Sequence, residues 1–331
     1  MVKPRFQDLI ALNDTPLEDL DYLPRANGQP TVEGLPEGVR FISAVPAEKI
    51  RKGRFQFRMH FDPEKIKALA EVFQKRGFIG FLLVEEGSNG EFLLIGGERR
   101  WLASQEAKIE RLPCMVVEGL SDLEVAILGL EDNESHEPLS GIEHTKGVLT
   151  ILRLAIFPGE PDSPETEKKV ISLVNGMIYD LKQWQRQNPG KPEPESAIFT
   201  QRIGADKVLE VFNDLPLIKW QTFAKKRLAL LNLPDDLREA VLSNSLASAK
   251  ALMLAKVEDE EVRSQLTEMA ADLSKDALKE KIKELTPQPE QDGLTTIAGT
   301  IQKKLKTVSS LSESKRKRVQ TLLEELELLL S

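Results

Sequence analysis

One short stretch limits the possible folds of this chain more than any other. Apolar residues over 92–95 run directly into two glycines, one acid and two arginines, Gly96, Gly97, Glu98, Arg99 and Arg100. The apolar run predicts a buried strand, the glycines a sharp turn, and residues 98–107 a helix. Such a junction brings free backbone N–H groups and two guanidinium groups to one point, which favours an anion such as phosphate. Taken alone, a tight turn before a solvated helix is an equally good interpretation.

The neighbouring residues predict a compact α/β unit around this turn. Residues 62–77 predict a helix, because an Asp-Pro-Glu start is followed by apolar residues at helical spacing and a glycine stop. Two apolar runs, 81–84 and 92–95, are separated by Gly-Ser-Asn-Gly and predict a hairpin. Residues 114–117 predict another strand, and residues 121–130 predict a helix that a capping box opens.

Shifts in composition divide the 331 residues into successive parts. Proline-rich stretches mark the borders of the middle part, and basic residues mark the last one. We predict a flexible arm over 1–40, the α/β unit over 41–157, a proline-rich linker with an extra helix over 158–205, a helical region over 206–286, and a basic stretch with a terminal helix over 294–331.

Composition also excludes several classes of protein. Cys114 is the only cysteine, so an intrachain disulfide and a cysteine-based zinc cluster are impossible. No apolar run reaches the roughly 18 residues of a membrane span, and the polar start has no signal-peptide pattern, so we expect a cytoplasmic protein without a membrane partner. The net charge of −8 argues against uniform coating of nucleic acid but permits local basic surfaces.

A second informative segment covers residues 218–231. It contains four cations and no acid, Lys219, Lys225, Lys226 and Arg227. On a helical wheel, the apolar residues share one face and the opposite face carries Gln221, Thr222, Lys225 and Lys226. Amide and hydroxyl groups among lysines suit base edges and phosphates in a DNA groove. Arg227 falls within the apolar arc without a reason visible in the sequence, and an ordinary amphipathic helix remains an alternative.

The end of the chain predicts an association helix. Seven cations between residues 302 and 318 are opposed by one acid, Glu313. Apolar residues then recur at heptad-like spacing: Val319, Leu322, Leu323, Leu326, Leu329 and Leu330. A lone helix with such a stripe would be poorly soluble, so we expect it to pair with a second copy of the chain or to dock on the body of the protein.

Two regions resemble ParB-type plasmid and chromosome partition proteins, including the RepB-like and Noc-like members. In residues 44–157 the resemblance rests on 45–50, Gln56-Phe57-Arg58, Phe61–Glu64, Gly97–Trp101 and 112–117. In residues 206–286 it rests on a helical pattern. The resemblance implies an α/β N-terminal ParB/sulfiredoxin-like domain, then an all-α helix-turn-helix domain, and a C-terminal helix.

The resemblance also implies nucleotide binding in the first region. In the family this domain binds CTP with Mg²⁺, and the turn formed here by Gly96, Gly97, Glu98, Arg99 and Arg100 holds the triphosphate. A second family motif corresponds to Asp132 and Asn133, which would contribute to the Mg²⁺ and nucleotide sites. This chain departs from the family at Leu102, Ser135 and His136. The alternative for the acidic residues 131–134 is a solvated helix end.

Two further residues are candidates for hydrolysis of the nucleotide. Hydrolysis would need an attacking water in line with the triphosphate and a group that neutralises charge. Gln56 is the candidate for orienting the water and Arg58 for neutralising charge, as in a weak CTPase. Alternatively, both belong to a basic surface turn, together with Arg51, Lys52 and Arg54, that contacts DNA phosphate.

For the second region the resemblance implies a helix-turn-helix, with 206–214 as its first helix and 215–217 as its turn. The DNA contacts would come from Lys219, Gln221, Thr222, Lys225 and Lys226. The expected partners are double-stranded DNA, a second copy of the chain in a clamp-like dimer, and a ParA-type ATPase that the arm would bind. The protein would then be found on a plasmid or the nucleoid.

Two other classes of function remain open. One is a DNA-binding transcriptional regulator without nucleotide switching, which the departures at Ser135 and His136 permit. The other is an enzyme of the same α/β fold, a ParB-like nuclease or a sulfiredoxin. A sulfiredoxin needs a cysteine in the phosphate-binding turn, whereas Cys114 lies in a later predicted strand, so this reading is disfavoured.

Overall fold

The computed structural model describes residues 38–215, 218–286 and 313–330, without the side chains of residues 135, 136, 326 and 328–330. The chain forms two compact units that meet in sequence between Leu273 and Ser274. Among the described helices, none combines the length and apolar character needed to cross a membrane.

A five-stranded mixed sheet forms the first part of unit one. Its strands are β1 (Val39–Pro46), β2 (Ile50–Arg51), β3 (Leu82–Glu86), β4 (Phe92–Gly96) and β5 (Arg111–Val117), in the order β1-β5-β3-β4-β2. The predicted hairpin is confirmed, since β3 and β4 pair antiparallel. The strand predicted over 114–117 is also confirmed and begins earlier, at Arg111, because it pairs along most of β1.

Unit one also contains eleven α-helices among the described residues. They are α1 (Pro63–Arg76), α2 (Glu98–Glu106), α3 (Asp122–His136), α4 (Gly141–Ile156), α5 (Pro164–Gln187), α6 (Glu195–Ile198), α7 (Ala205–Asp214), α8 (Trp220–Thr222), α9 (Asp235–Leu242), α10 (Ser248–Leu254) and α11 (Glu260–Ala270). The predicted start and stop of α1 are confirmed, because Asp62 accepts the backbone N–H of Glu64 and Gly77 has a left-handed φ of 83°. α3 runs to His136, beyond the predicted end near residue 130.

Helix α5 shows that the middle of the chain contributes to the core. Its buried residues recur at helical spacing, Val170, Val174, Met177 and Leu181. They belong to one hydrophobic cluster with residues of α3, α4, α7 and the segment that follows α7. Part of 158–205, which the sequence indicates to be a linker, is therefore built into unit one. The division of the chain into domains at these borders stays a prediction.

The predicted DNA-reading helix, residues 218–231, corresponds to a helical segment over residues 220–232 that changes its pitch. α8 continues as a π-helical turn (Phe223–Arg227) and then as a 3₁₀ turn (Leu228–Asn232). Trp220, Phe223 and Leu228 are buried in the shared hydrophobic cluster, as the helical wheel predicts. The first helix of the predicted helix-turn-helix is α7, while residues 216 and 217 of its turn lie outside the described residues.

Unit two contains α12 (Lys275–Leu285) and α13 (Glu313–Leu330). The basic residues before 313 lie outside the described residues, as do 1–37 of the predicted arm. The last residues of that arm, Val39 and Arg40, are already part of β1, because they pair with Val117 and Val116. Pairing of α13 with a second copy stays a prediction.

Candidate functional site

The predicted phosphate-binding turn borders a cavity of about 250 Å³ in unit one. The cavity lies where β4 turns into α2, beside the last turns of α3. All nine predicted nucleotide-site residues line it together: Gln56, Arg58, Gly96, Gly97, Glu98, Arg99, Arg100, Asp132 and Asn133. Leu69, Ile95 and Glu137 complete the lining. Residues from 56 to 137 thus converge at the point that the sequence singles out.

The carboxylate of Asp132 holds the turn in place. Gly97 has a φ of 87°, which favours glycine, and its backbone N–H donates to Asp132 Oδ2 at 3.1 Å. A side chain at Gly96 would meet the same carboxylate, because an added Cβ would lie 2.5 Å from Asp132 Oδ2. Asp132 is only 5% exposed. For this residue the alternative of a solvated acidic helix end is wrong, because its carboxylate is packed under the turn.

The two residues proposed for hydrolysis are fixed to neighbouring elements. Gln56 Nε2 donates to the carbonyl oxygen of Leu94 in β4 at 2.8 Å. Arg58 Nη2 donates to Asn133 Oδ1 at 3.3 Å and to the backbone oxygen of Glu137. Both side chains border the cavity, so the structure brings them beside the turn. One N–H of the Gln56 amide is used in this bond, which leaves its second N–H and its carbonyl oxygen to orient a water.

Glu143, a residue that the sequence does not single out for the site, holds the segment before α1 that follows Arg58. Its Oε1 accepts the backbone N–H groups of Met59 at 2.6 Å and His60 at 3.1 Å, and its Oε2 accepts that of Ser140 at 2.8 Å. The side chain is 1% exposed. Only its second role, in a capping box with Ser140, is visible as a sequence pattern.

Glu137 is a second residue missed by the sequence analysis. Its carboxylate pairs with Arg99 through Oε2, and its Oε1 lies 3.4 Å from Lys65 Nζ. It also borders both the main cavity and a neighbouring one of about 170 Å³. In the sequence it is one acid among several after residue 130, and no spacing rule identifies it.

The basic residues before Gln56 are paired with acids in the structure. Arg54 forms a fork with Glu85, whose oxygens lie 3.0 and 2.7 Å from its nitrogens. Lys52 lies 3.2 Å from Glu98. Burial raises the pKa of the Glu98 carboxyl, and the nearby cations Lys52 and Arg58 partly oppose that rise. A basic surface for DNA phosphate, the alternative for this stretch, would therefore first have to release these acids.

The two residues predicted to hold Mg²⁺ already accept hydrogen bonds in the structure. One carboxylate oxygen of Asp132 accepts the Gly97 N–H, and Asn133 Oδ1 accepts from Arg58. Within the part of the chain that the structure describes, no three His, Cys, Asp or Glu residues form a group suited to a metal ion. A magnesium site built on Asp132 and Asn133 stays a prediction, and no step below depends on it.

The five predicted DNA-contacting residues differ in their surroundings. Lys219, Lys225 and Lys226 are exposed. Gln221 and Thr222 are half-buried, and Gln221 Nε2 donates to Glu195 Oε1 at 2.6 Å. A base contact from Gln221 would therefore require it to leave Glu195, which also accepts from the indole of Trp220 at 3.3 Å.

Arg227 points toward the junction of α3 and α4, which explains its place in the apolar arc. An added Cβ at Gly141 would lie 2.8 Å from Arg227 Nη1, so the guanidinium lies across the start of α4. His144 is buried nearby, with Nε2 3.8 Å from Glu134 Oε1. Burial, and then the charge of Arg227, lower the pKa of His144 to about 4.

Comparison with known proteins identifies relatives over most of the chain. A model of the ParB N-terminal domain matches residues 35–134. A probable plasmid-partitioning protein ParB from Thermus thermophilus is 30% identical over 292 residues, which cover 86% of this chain and 89% of that protein. A nucleoid occlusion protein from Geobacillus thermodenitrificans is 27% identical over 231 residues, which cover 70% of this chain and 64% of that protein.

Among solved structures, a C-terminally truncated chromosome-partitioning protein ParB from Caulobacter crescentus, complexed with CTP-gamma-S, is 21% identical. The match covers 69% of this chain and 98% of that chain, with a TM-score of 0.27, which is too low to support an inference. The Thermus relative, in contrast, is similar along most of both chains. The matched N-terminal domain contains the turn and nearly all of the cavity lining described above. The chain therefore belongs to the ParB family.

Proposed function

We propose that this chain is a partition protein that binds double-stranded DNA through residues 219–226 and binds a nucleotide, CTP, at the Gly96–Arg100 turn. The observation that carries the nucleotide proposal is that this turn, Arg58 and Asn133 border one cavity. Backbone N–H groups at a helix start and forked guanidinium groups are the donors that hold phosphate oxygens.

The size of the cavity suggests which part of the nucleotide it holds. Ligand pockets usually have volumes of roughly 300 to 1,000 Å³. The cavity of about 250 Å³ is slightly smaller, so it suits the triphosphate rather than the whole nucleotide. The nucleoside would then extend beyond it.

The DNA part of the proposal is supported by charge and by family membership. Lys219, Lys225 and Lys226 lie exposed on a segment without acids in a chain of net charge −8. We place α7 and residues 220–232 as the two helices of a helix-turn-helix. A dimeric clamp on DNA, a ParA-type ATPase partner, Mg²⁺ and a location on the plasmid or nucleoid belong to the same proposal, by analogy with ParB relatives.

The nucleotide proposal is tested by calorimetry on the full chain with CTP, ATP, GTP and UTP, each with and without Mg²⁺ and a DNA duplex. We expect CTP to bind and Arg99→Ala to weaken it by about tenfold or more, since one charge-assisted contact to phosphate is lost. Lys67→Ala, at an exposed position of α1, is the control. Equal CTP affinity in Arg99→Ala and the wild type would contradict the assignment.

One observation favours the second candidate, a DNA-binding regulator without nucleotide switching. Both Arg58 and Arg99 are already engaged by Glu137, so the site is satisfied without a ligand. Crosslinking between subunits separates the two functions. A clamp should crosslink more efficiently when CTP and DNA are added together, whereas a simple regulator should give the same yield with and without CTP.

A further inference from the structure

The charges around the main cavity are balanced before any ligand binds. Three arginines border it, Arg58, Arg99 and Arg100, and so do three carboxylates, Glu98, Asp132 and Glu137. A triphosphate carries several negative charges, so a carboxylate that occupies the arginines opposes its binding. The three acids differ in their roles at this cavity.

Two of the acids have other roles. Asp132 accepts the Gly97 N–H and holds the turn over residues 96–100. We call this turn and the cavity beside it the cradle. Glu98 lies 3.2 Å from Lys52, which does not border the cavity. Glu137 differs, because its carboxylate contacts Arg99, the residue expected to bind phosphate.

The surroundings of Glu137 resemble an anion site that is already occupied. One carboxylate oxygen contacts Arg99 and the other lies 3.4 Å from Lys65 Nζ. The two cavities share Arg58, Arg99 and Glu137, so the carboxylate lies at their border. Lys65 of α1 and Arg99 of α2 thus both lie next to the Glu137 carboxylate at the edge of the cradle.

We infer that Glu137 is an internal competitor: its carboxylate occupies the place of a ligand phosphate on Arg99, and a polyphosphate must displace it from Arg99 to bind. This inference rests on the proposed nucleotide site and adds a residue that sets its affinity. The exchange is feasible because Arg99 and Glu137 are each about one-third exposed, with side-chain exposures of 33% and 29%. Pairs of this exposure are weak enough for a more highly charged phosphate to break.

The second cavity gives the displaced side chain a place to go. Its lining includes His60, Asp62, Lys65, the last residue of α9, Leu242, and the two residues that follow it, Ser243 and Asn244. A carboxylate that leaves Arg99 can remain near Lys65 without crossing the apolar core. The displacement therefore needs a change in the Glu137 side chain only, while its backbone oxygen keeps Arg58 in place.

The test compares Glu137→Gln with the wild type by calorimetry, using CTP and, separately, inorganic tripolyphosphate. The amide keeps the size of the side chain but removes its charge, so we expect both ligands to bind about three- to tenfold more tightly, which corresponds to the loss of one partly exposed competing pair. Glu85→Gln is the matched control, because Glu85 pairs with Arg54 outside both cavities. It should leave both affinities unchanged.

The outcomes separate this inference from the proposed function. If the wild type binds CTP and Glu137→Gln binds it equally or less tightly, the competitor role is overturned while the site stands. If neither protein binds CTP or tripolyphosphate, the proposed nucleotide site fails, and the inference fails with it. The melting temperature without ligand shows whether Glu137→Gln is folded. If it is not, Glu137→Asp, which retracts the carboxylate from Arg99, must also tighten binding, and unchanged affinity there overturns the role.

Discussion

The cradle around residues 96–100 and the segment 220–232 are both rich in cations, but they hold those cations differently. In the cradle, Arg58 and Arg99 contact Asn133 and Glu137, groups about 40 to 75 positions away in sequence. In the segment, Lys219, Lys225 and Lys226 are exposed, and within the described part of the chain none of the three has an ion-pair partner. One region has its charges fixed by the fold, and the other presents them to solvent.

This difference fits the two kinds of ligand that we propose for the protein. A small anion must be met by donors at fixed positions, which requires contacts that hold each donor in place before the ligand arrives. A DNA backbone is long and uniformly charged, so exposed lysines can follow it without a fixed geometry. We therefore expect substitutions near the cradle to change folding stability, and substitutions of the lysines to change DNA affinity alone.

The largest effect is expected where the cradle is anchored. Glu143→Ala removes the acceptor of the Met59, His60 and Ser140 N–H groups, and we expect it to lower the free energy of unfolding by about 3 kcal/mol, because three backbone donors lose their bonds to one buried carboxylate. Urea unfolding followed by circular dichroism measures this change.

The matched control for that variant is Glu124→Ala. Glu124 forms the same capping box with Ser121 at the start of α3, but on the surface and without the contacts to Met59 and His60. We expect a loss of about 1 kcal/mol there. Similar losses in the two variants would mean that the segment before α1 is held by something other than Glu143. The claim that long-range contacts fix the cradle would then fail.

The sequence predicts the cradle better than it predicts the distant residues that hold the cradle in place. The glycines at 96 and 97 and the arginines after them are adjacent in the chain, so their strand-turn-helix geometry follows from local rules. Glu137 and Glu143 act across long sequence separations, on Arg99 and on the backbone of residues 59 and 60. Sequence spacing identifies Glu143 only as a capping-box acid, and it does not distinguish Glu137 from the solvated acids nearby.

In the segment 220–232 the helical wheel predicts the buried face correctly but not the environment of two polar residues. The wheel assigns Gln221 to the outer face, whereas the amide lies against Glu195 of α6, a helix from the part predicted as a linker. Arg227, which has no explanation on the wheel, contacts the start of α4 because Gly141 leaves room for it. Both differences arise from tertiary packing, which periodicity does not describe.

A smaller effect, confined to binding, is expected for the lysines. The double variant Lys225→Ala/Lys226→Ala should weaken binding to a DNA duplex by about 2 kcal/mol at low salt and reduce the slope of log affinity against log salt by about two, because two phosphate contacts are lost. Fluorescence anisotropy at several salt concentrations measures both quantities.

The unfolding free energy of that variant should stay within about 0.5 kcal/mol of the wild type, since exposed side chains are removed. Lys67→Ala/Lys75→Ala on α1 is the control and should leave the salt slope unchanged. A double variant of residues 225 and 226 that keeps the full slope would show that DNA is bound elsewhere.

The smallest effect lies at the border of the two regions, where Arg227 of the segment approaches His144 of α4 and Glu134 of α3. Burial lowers the pKa of His144 to about 4, from 6.5 in an unfolded chain. Above pH 6.5 the histidine is neutral in both states and its contribution is complete. Below that pH the unfolded chain takes up the proton first, so the unfolding free energy decreases as the pH falls from about 6.5 toward 4.

We expect this loss to be about 1 kcal/mol, below the linkage limit of about 3 kcal/mol, because burial raises the pKa of Glu134 and its protonation acts in the opposite direction. His144→Gln should remove most of the pH dependence attributable to this site, whereas His60→Gln, at an exposed position, should keep it. Urea unfolding at pH 7, 6, 5 and 4.5 measures the difference. If His144→Gln and the wild type lose stability in parallel, then His144 does not contribute to the pH dependence, and its pKa is not lowered by folding.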